Sequence, residues 1–459
     1  MSKKTNEKRL NFTTDKIIYY TKLILIILSL LTAVPFINST FRDLYKVLSV
    51  WSVGVIIYLF IKKKAFRLKE YILLVLFCVS YVITIFINRE VHFINEVAIL
   101  VQSIMMFFLM TYIDGKKSEE KLKKELIVYG WAIVIVSFIF AIVNSIELWL
   151  EIAGVINIKK QSFFTGIIDN RMGGLYNPNS GSTISLIAFV ISILLWRAYK
   201  SKVKRIILGI SIVVEFISFS ACQSRGSSIC LLVFIILNFV FIRKEEKYKG
   251  IKKYATRLMA AFLVCLLVGG LGQISNSVMW NIPKVTNGDL FEKDIEDAKR
   301  KKVDESSING VSAGRTKLWE TAINAYKEGN KAFGMGFRSI DDAYARKLSW
   351  KSYKNSAAGG THNVYITVLV SAGYVGMTLF VLFMLLILKR ILSLLISAHV
   401  PDYVKNISAL LCACFVADLF ESRFVFGMNH FAVFCWISIG IVMYYSEEYK
   451  IGKHNNSSI

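Results

Sequence analysis

Residues 364–388, VYITVLVSAGYVGMTLFVLFMLLIL, run for 25 positions without a charged side chain. An α-helix rises about 1.5 Å per residue, so this stretch would cover roughly 37 Å, more than the ~30 Å hydrocarbon core of a bilayer. Eleven further apolar runs accompany it, at 17–37, 47–61, 71–88, 95–113, 126–148, 181–196, 206–221, 227–242, 258–276, 404–420 and 428–446. Composition agrees: AVILMFWYC make up 55% of the 459 residues and charged residues 19%, with only 4 Pro. A soluble domain sits nearer 45–50% apolar and about 25% charged, so a soluble protein and a disordered chain are both excluded. The expected fold class is all-α, a polytopic bundle of about twelve transmembrane helices.

Lys and Arg outnumber Asp and Glu by 56 to 32, a net charge of +24 that taken alone would suggest a nucleic-acid partner. Its distribution argues otherwise. With the N-terminus inside, the loops at 62–69, 114–124, 197–205 and 243–257 carry 22 Lys and Arg. The stretches at 38–47, 88–95, 149–180, 222–226 and 421–427, which would then lie outside, carry 8. The positive-inside rule therefore predicts both termini in the cytoplasm, and the basic excess is a topology signal with no nucleic acid implied. The first run lacks a small-residue cleavage pattern and is expected to be a span, not a removed leader. The predicted organisation is a cytoplasmic N-terminus (1–16), nine spans (17–276), a large extracytoplasmic loop (277–363), three spans (364–446) and a cytoplasmic tail (447–459). The seven Cys fall in or beside apolar runs without C-x-x-C or Cys/His ligand spacing, so neither a disulfide framework nor a metal is expected.

A loop as long as 277–363 is usually functional or folded in its own right. Within it, Ser312–Glu328 reads as a helix, with Ser312 as N-cap, Gly329-Asn330 as a stop and Leu318, Trp319, Ala322, Ile323 and Tyr326 on one stripe. Arg315 stands one turn before Trp319 on that stripe. A second helical stretch is expected after Ser339-Ile340-Asp341-Asp342.

Polar residues gather where spans begin on the outside. The sixth span follows Arg171-Met-Gly-Gly-Leu-Tyr-Asn177-Pro178-Asn179-Ser180-Gly181, and the eighth opens with Gln223-Ser224-Arg225-Gly226. The tenth opens with Gly359-Gly360-Thr361-His362-Asn363, and the twelfth follows Glu421-Ser422-Arg423. Gly, Asn, Pro and Ser at a helix start can be plain turn and cap chemistry. Helix N-termini converging with arginines, however, make an anion site, and a phosphate or pyrophosphate is the usual occupant. Arg225 is the sharpest single candidate, because it sits in a loop of about five residues between two apolar runs, where an unpaired charge is costly. Glu215 and Asp418 lie inside predicted spans; each either pairs with an outer arginine such as Arg225 or Arg423, or relays protons.

Taken together, these pieces resemble the O-antigen polymerase and O-antigen ligase family of polytopic membrane glycosyltransferases. The resemblance rests on Gly173-Gly174-Leu175-Tyr176-Asn177-Pro178-Asn179, on Ser224-Arg225-Gly226, and on Gly314-Arg315 with Trp319 and Gly334-Met335-Gly336. His362-Asn363 with Gly373 and Gly376 completes it, and it covers residues 160–390. It implies an oligosaccharide carried on undecaprenyl pyrophosphate as substrate, membrane lipid as surroundings, and a bacterial plasma membrane. It also implies inverting, metal-independent glycosyl transfer without a cofactor, and it leaves room for a chain-length regulator and a flippase as partners. On this resemblance Arg225 and Arg315 bind the donor pyrophosphate, Arg171 and Arg423 add cationic contacts, and His362 is the general base. Asn363 orients it, and Asn177 and Asn179 hold sugar hydroxyls. Three functions stay open: a repeat-unit polymerase for capsule, exopolysaccharide or O-antigen, a ligase to another acceptor, and a polysaccharide flippase or other transporter. A transporter usually shows internal repeats and Gly/Pro-broken helices with a midplane site; the polar residues here gather at the outer rim.

Overall fold

The computed structural model describes residues 2–63, 65–66, 68–150, 153–158, 161–168, 171–242, 250–281, 315–347 and 361–456. Helices occupy all twelve expected positions. They are α1 (Ser2–Leu31), α2 (Pro35–Lys63), α3 (Lys69–Ile87), α4 (Phe93–Ile104, continued by a π-helical segment Met105–Met110), α5 (Glu119–Trp149) and α6 (Pro178–Ala198). Then follow α7 (Lys202–Ala221), α8 (Arg225–Leu237, continued by a π-helical segment Asn238–Ile242) and α9 (Gly250–Asn281). Two shorter helices, α10 (Arg315–Glu328) and α11 (Ser339–Lys347), precede α12 (Val364–Ile396), α13 (Asp402–Ala417) and α14 (His430–Asn456). Among the described residues eight of these are long and apolar enough to cross a membrane: α2 to α6, α8, α9 and α12. Residues 283–310 and the predicted cap Ser312 lie outside the described residues.

One departure from an all-helical chain appears between α5 and α6. Strands β1 (Ala153–Ile158), β2 (Gln161–Ile168) and β3 (Arg171–Gly174) form an antiparallel sheet in that order, with a bulge at Gly166/Ile167. Val155, Ile156, Ile158, Phe163, Phe164, Thr165, Ile167 and Ile168 supply the β-branched and aromatic content that favours strands. The sheet ends at Gly174, whose φ of +59° and closeness to Asn144 leave no room for a Cβ; Asn144 Oδ1 accepts the Leu175 N–H at 2.9 Å.

The chain divides into two compact units. The first comprises 1–45, 114–301 and 429–431, and holds α1, α5 to α9 and the sheet. Its helices meet through small and hydroxylated residues: Ser185 bonds Ser218 at 3.0 Å and Ser192 bonds Ser211 at 3.1 Å across α6 and α7. Gly130 lets α5 close on Ile191 and Leu195 of α6. With no water to satisfy them, hydroxyls inside an apolar bundle bond one another, and small residues allow backbones to approach. Glu215 is fully buried there, beside Ser137 and Ser185, and among the described residues no ion pair reaches it.

The second unit comprises 46–113, 302–428 and 432–459. Its centre is aromatic, with Trp436 stacked on Phe424 at 4.6 Å and Phe383 and Phe107 against it. The feature that positions residues 331–338 is a break in α12. Gly373 there has φ +69° and ψ −170°, non-helical values that free the carbonyls and N–H groups on either side. The Gly334–Gly336 turn and the residues before it satisfy them. Met335 and Gly336 donate to the Val370 and Ser371 carbonyls at 3.0 and 3.1 Å, and Tyr374 and Val375 donate to those of Lys331 and Ala332, both at 3.0 Å. A Cβ at Gly373 would collide with Ala332 and Phe333, and one at Gly334 with Ser371, so only glycine fits at either position. Helices α3 and α4 hold the same segment from the other side. Thr84 Oγ1 donates to Phe333 O at 2.5 Å, Asn88 Nδ2 to Gly334 O at 3.2 Å, and buried Glu96 accepts the Arg338 N–H at 2.7 Å and the Tyr81 hydroxyl at 2.5 Å.

Candidate functional site

Helix α10 begins at Arg315 and buries Leu318, Ala322 and Tyr326, three members of the predicted stripe. Trp319 donates its indole N–H to Thr361 O at 2.8 Å, tying α10 to the residue before His362. Thr361 is itself fully buried, its N–H bonded to Thr367 Oγ1 at 3.1 Å. His362 then takes φ +53°, the left-handed region that a non-glycine residue rarely adopts and that costs energy unless its surroundings impose it. Asn363 caps α12, accepting the Tyr365 and Ile366 N–H groups at 3.0 and 3.1 Å, while its Nδ2 donates to Leu419 O at 3.0 Å. Val364 N–H donates to Asp418 O at 3.0 Å. His362 is thereby pinned on both sides.

The chain between α13 and α14 supplies the opposite wall. Asp418, at the C-cap of α13, accepts the backbone N–H groups of Arg423 (3.3 Å) and Phe424 (3.2 Å), folding residues 419–424 back on themselves. This turn presents Glu421. Arg315 Nη2 reaches Glu421 Oε1 at 3.0 Å and Arg315 Nη1 donates to Phe420 O. Glu421 Oε2 takes Arg423 Nη2 at 3.4 Å and His362 Nδ1 at 3.2 Å. Burial pushes the Glu421 carboxyl up, yet Arg423, His362 and Arg315 outweigh that and hold it down at about 2. One carboxylate thus anchors two guanidinium groups and an imidazole. Two guanidinium groups thus meet on one carboxylate, with Asp418 of the same turn beside Arg423. The His362 side chain is the most open member, 24% exposed against 12% for Glu421.

In the first unit, Arg171 at the start of β3 donates from Nε to Cys222 O at 2.8 Å and from Nη2 to Asn179 Oδ1 at 2.7 Å. Asn177 is the N-cap of α6 and accepts the Asn179 N–H at 3.0 Å. Arg225 is the first residue of α8 and is exposed.

Of the residues singled out from sequence, Arg315, His362, Asn363 and Arg423 come together in the second unit, while Arg171, Asn177, Asn179 and Arg225 belong to the first. The group bonded to the imidazole is Glu421; the Asn363 amide is engaged by its cap and by Leu419. Sequence reasoning noticed Glu421 as a neighbour of Arg423 and gave it no part. An acid two positions from Arg423, just ahead of the last apolar run, was the available signal.

Residues 216–381 match the family model described as O-Antigen ligase. The matched stretch contains Arg225, Arg315, His362 and Gly373 and ends before Glu421. No curated protein matches the chain. Over those 166 of its 459 residues the chain is similar to the O-antigen ligase family.

Proposed function

We propose that this protein polymerises oligosaccharide repeat units carried on undecaprenyl pyrophosphate, at the outer face of a bacterial plasma membrane that it crosses twelve times with both termini inside. The observation that carries this is the Glu421-centred set: cationic donors from Arg315 and Arg423 beside a partly open imidazole. In the reaction, the acceptor sugar hydroxyl gives its proton to His362 as its oxygen attacks the anomeric carbon of the donor. The bond from that carbon to the pyrophosphate oxygen breaks, and the electron pair leaves on the pyrophosphate. Arg315 and Arg423 stabilise the charge that builds there, the kind of preorganised contribution typically worth about 10²–10³ in rate. Attack opposite to departure inverts the anomeric configuration, and no metal or nucleotide sugar takes part. Arg225 and Arg171 are expected to contact the donor as well, and Asn177 and Asn179 its sugars; each is tested by its own substitution.

The description of the matched model favours a second reading, transfer of the lipid-linked glycan to a different acceptor. Purified protein in nanodiscs, given a lipid-pyrophosphate-linked oligosaccharide as sole substrate, separates the two. Lipid-linked products rising in whole repeat units support the polymerase. Donor consumed only when another acceptor is added supports the ligase, and donor intact under every condition supports a transporter.

A further inference from the structure

The geometry points to Glu421 as the positioning residue of His362: it holds the imidazole in the tautomer with the proton on Nδ1, leaving Nε2 bare to take the acceptor proton. This rests on the proposed function above and deepens it. The inference follows from donor and acceptor chemistry. An ionised carboxylate has no proton to give, so in the 3.2 Å contact between Glu421 Oε2 and His362 Nδ1 the ring nitrogen is the donor. A neutral imidazole carries one proton; with that proton on Nδ1, the lone pair is on Nε2. Glu421 stays ionised because Arg423 and Arg315 face it from the turn and from the start of α10. Asp418, the other acid of this turn, is engaged by the backbone N–H groups of Arg423 and Phe424. The same carboxylate also fixes how far both guanidinium groups stand from the imidazole, so base and anion-binding donors share one anchor.

The inference is tested on the full-length protein in nanodiscs with ¹⁵N-labelled histidine. The His362 signal is assigned by its loss in His362→Gln among the five histidines. A neutral ring with protonated Nδ1 and bare Nε2 is expected in the wild type and in Glu421→Asp, which keeps the charge; Glu421→Gln, able to donate as well as accept, should lose that preference. Turnover of Glu421→Gln should fall about 10- to 100-fold, the range typical of an outer partner to a functional histidine. In a His362→Ala background the same change should cost far less, since the two act as one unit. A wild-type His362 with its proton on Nε2, or identical spectra for wild type and Glu421→Gln, would overturn the proposal even where His362→Ala is inactive. A full product ladder from His362→Ala would instead remove the general-base role of His362 on which the inference rests, whatever the tautomer. Should Glu421→Gln not accumulate, the wild-type and Glu421→Asp spectra decide alone.

Discussion

Among the described residues, Arg171 in the first unit and the pair Arg315 and Arg423 in the second use their guanidinium groups differently. Arg171 gives its bonds to a backbone carbonyl and a neutral amide, joining β3 to the end of α7 and the start of α6. Arg315 and Arg423 converge with His362 on a single carboxylate. The first arrangement satisfies neutral acceptors and ties elements together. The second gathers two guanidinium groups and an imidazole on one carboxylate. In sequence Arg171 and Arg423 each stand ahead of an apolar run, while Arg315 stands on the stripe of a helix in the long loop. Among the contacts described, the second arrangement adds a carboxylate brought from elsewhere in the chain, and we propose the second unit as the seat of the chemistry.

That contrast can be broken by substitution. His362→Ala should lower the rate of glycan extension by about 10²–10⁴, the usual worth of a general base, with protein abundance unchanged. Retention of more than about a tenth of the activity would remove that role. Arg315→Ala should cost about 10²–10³, and Arg315→Lys should recover only part of it, since an ammonium cannot span Phe420 O and Glu421 as a fork does. Measuring Arg315 and Arg171 variants side by side sharpens the comparison. Arg171→Ala should act mainly on thermal stability in detergent, with a loss of about 1–3 kcal/mol for the acceptors it leaves unmet, and with a smaller effect on turnover than Arg315→Ala.

Gly373→Ala separates scaffold from chemistry. Its positive φ and the collision with Ala332 should loosen the joint between α12 and the 331–336 segment, seen as a lower melting temperature and new protease sensitivity near residue 334. Unchanged stability would mean that the joint does not hold the loop. The smallest expected effect is a pH dependence. The Glu421 carboxyl is depressed from 4.5 to about 2, so the stability it contributes is complete above pH 4.5 and is lost as pH falls toward 2. Glu421→Gln should therefore flatten the melting temperature over that window; a slope equal to that of the wild type would show that the carboxylate is not held by its partners.

Much of this was legible beforehand because it is written in local pattern. Every apolar run became a helix, α10 and α11 appeared where periodicity and stop residues placed them, and the Gly334-Met335-Gly336 and Gly373 motifs turned out to be two halves of one joint. Residues 153–174 carry a β-branched and aromatic run, but short strands give a weak signal beside long hydrophobic helices. Glu421 was missed for a different reason. Its importance comes from Arg315, 106 positions away, and His362, 59 away, and no local rule reports contacts of that separation. The same holds for Arg171: neither the Cys222 carbonyl nor the Asn179 amide could be assigned to it without the fold.

The most direct test of the central claim is the rate at which lipid-linked repeat units are extended by purified wild type and by His362→Ala, measured together on one donor preparation. The account predicts a ladder in whole repeat units from the wild type and a rate at least about 10² lower from His362→Ala, with both proteins equally folded. A His362→Ala ladder growing at the wild-type rate would contradict it.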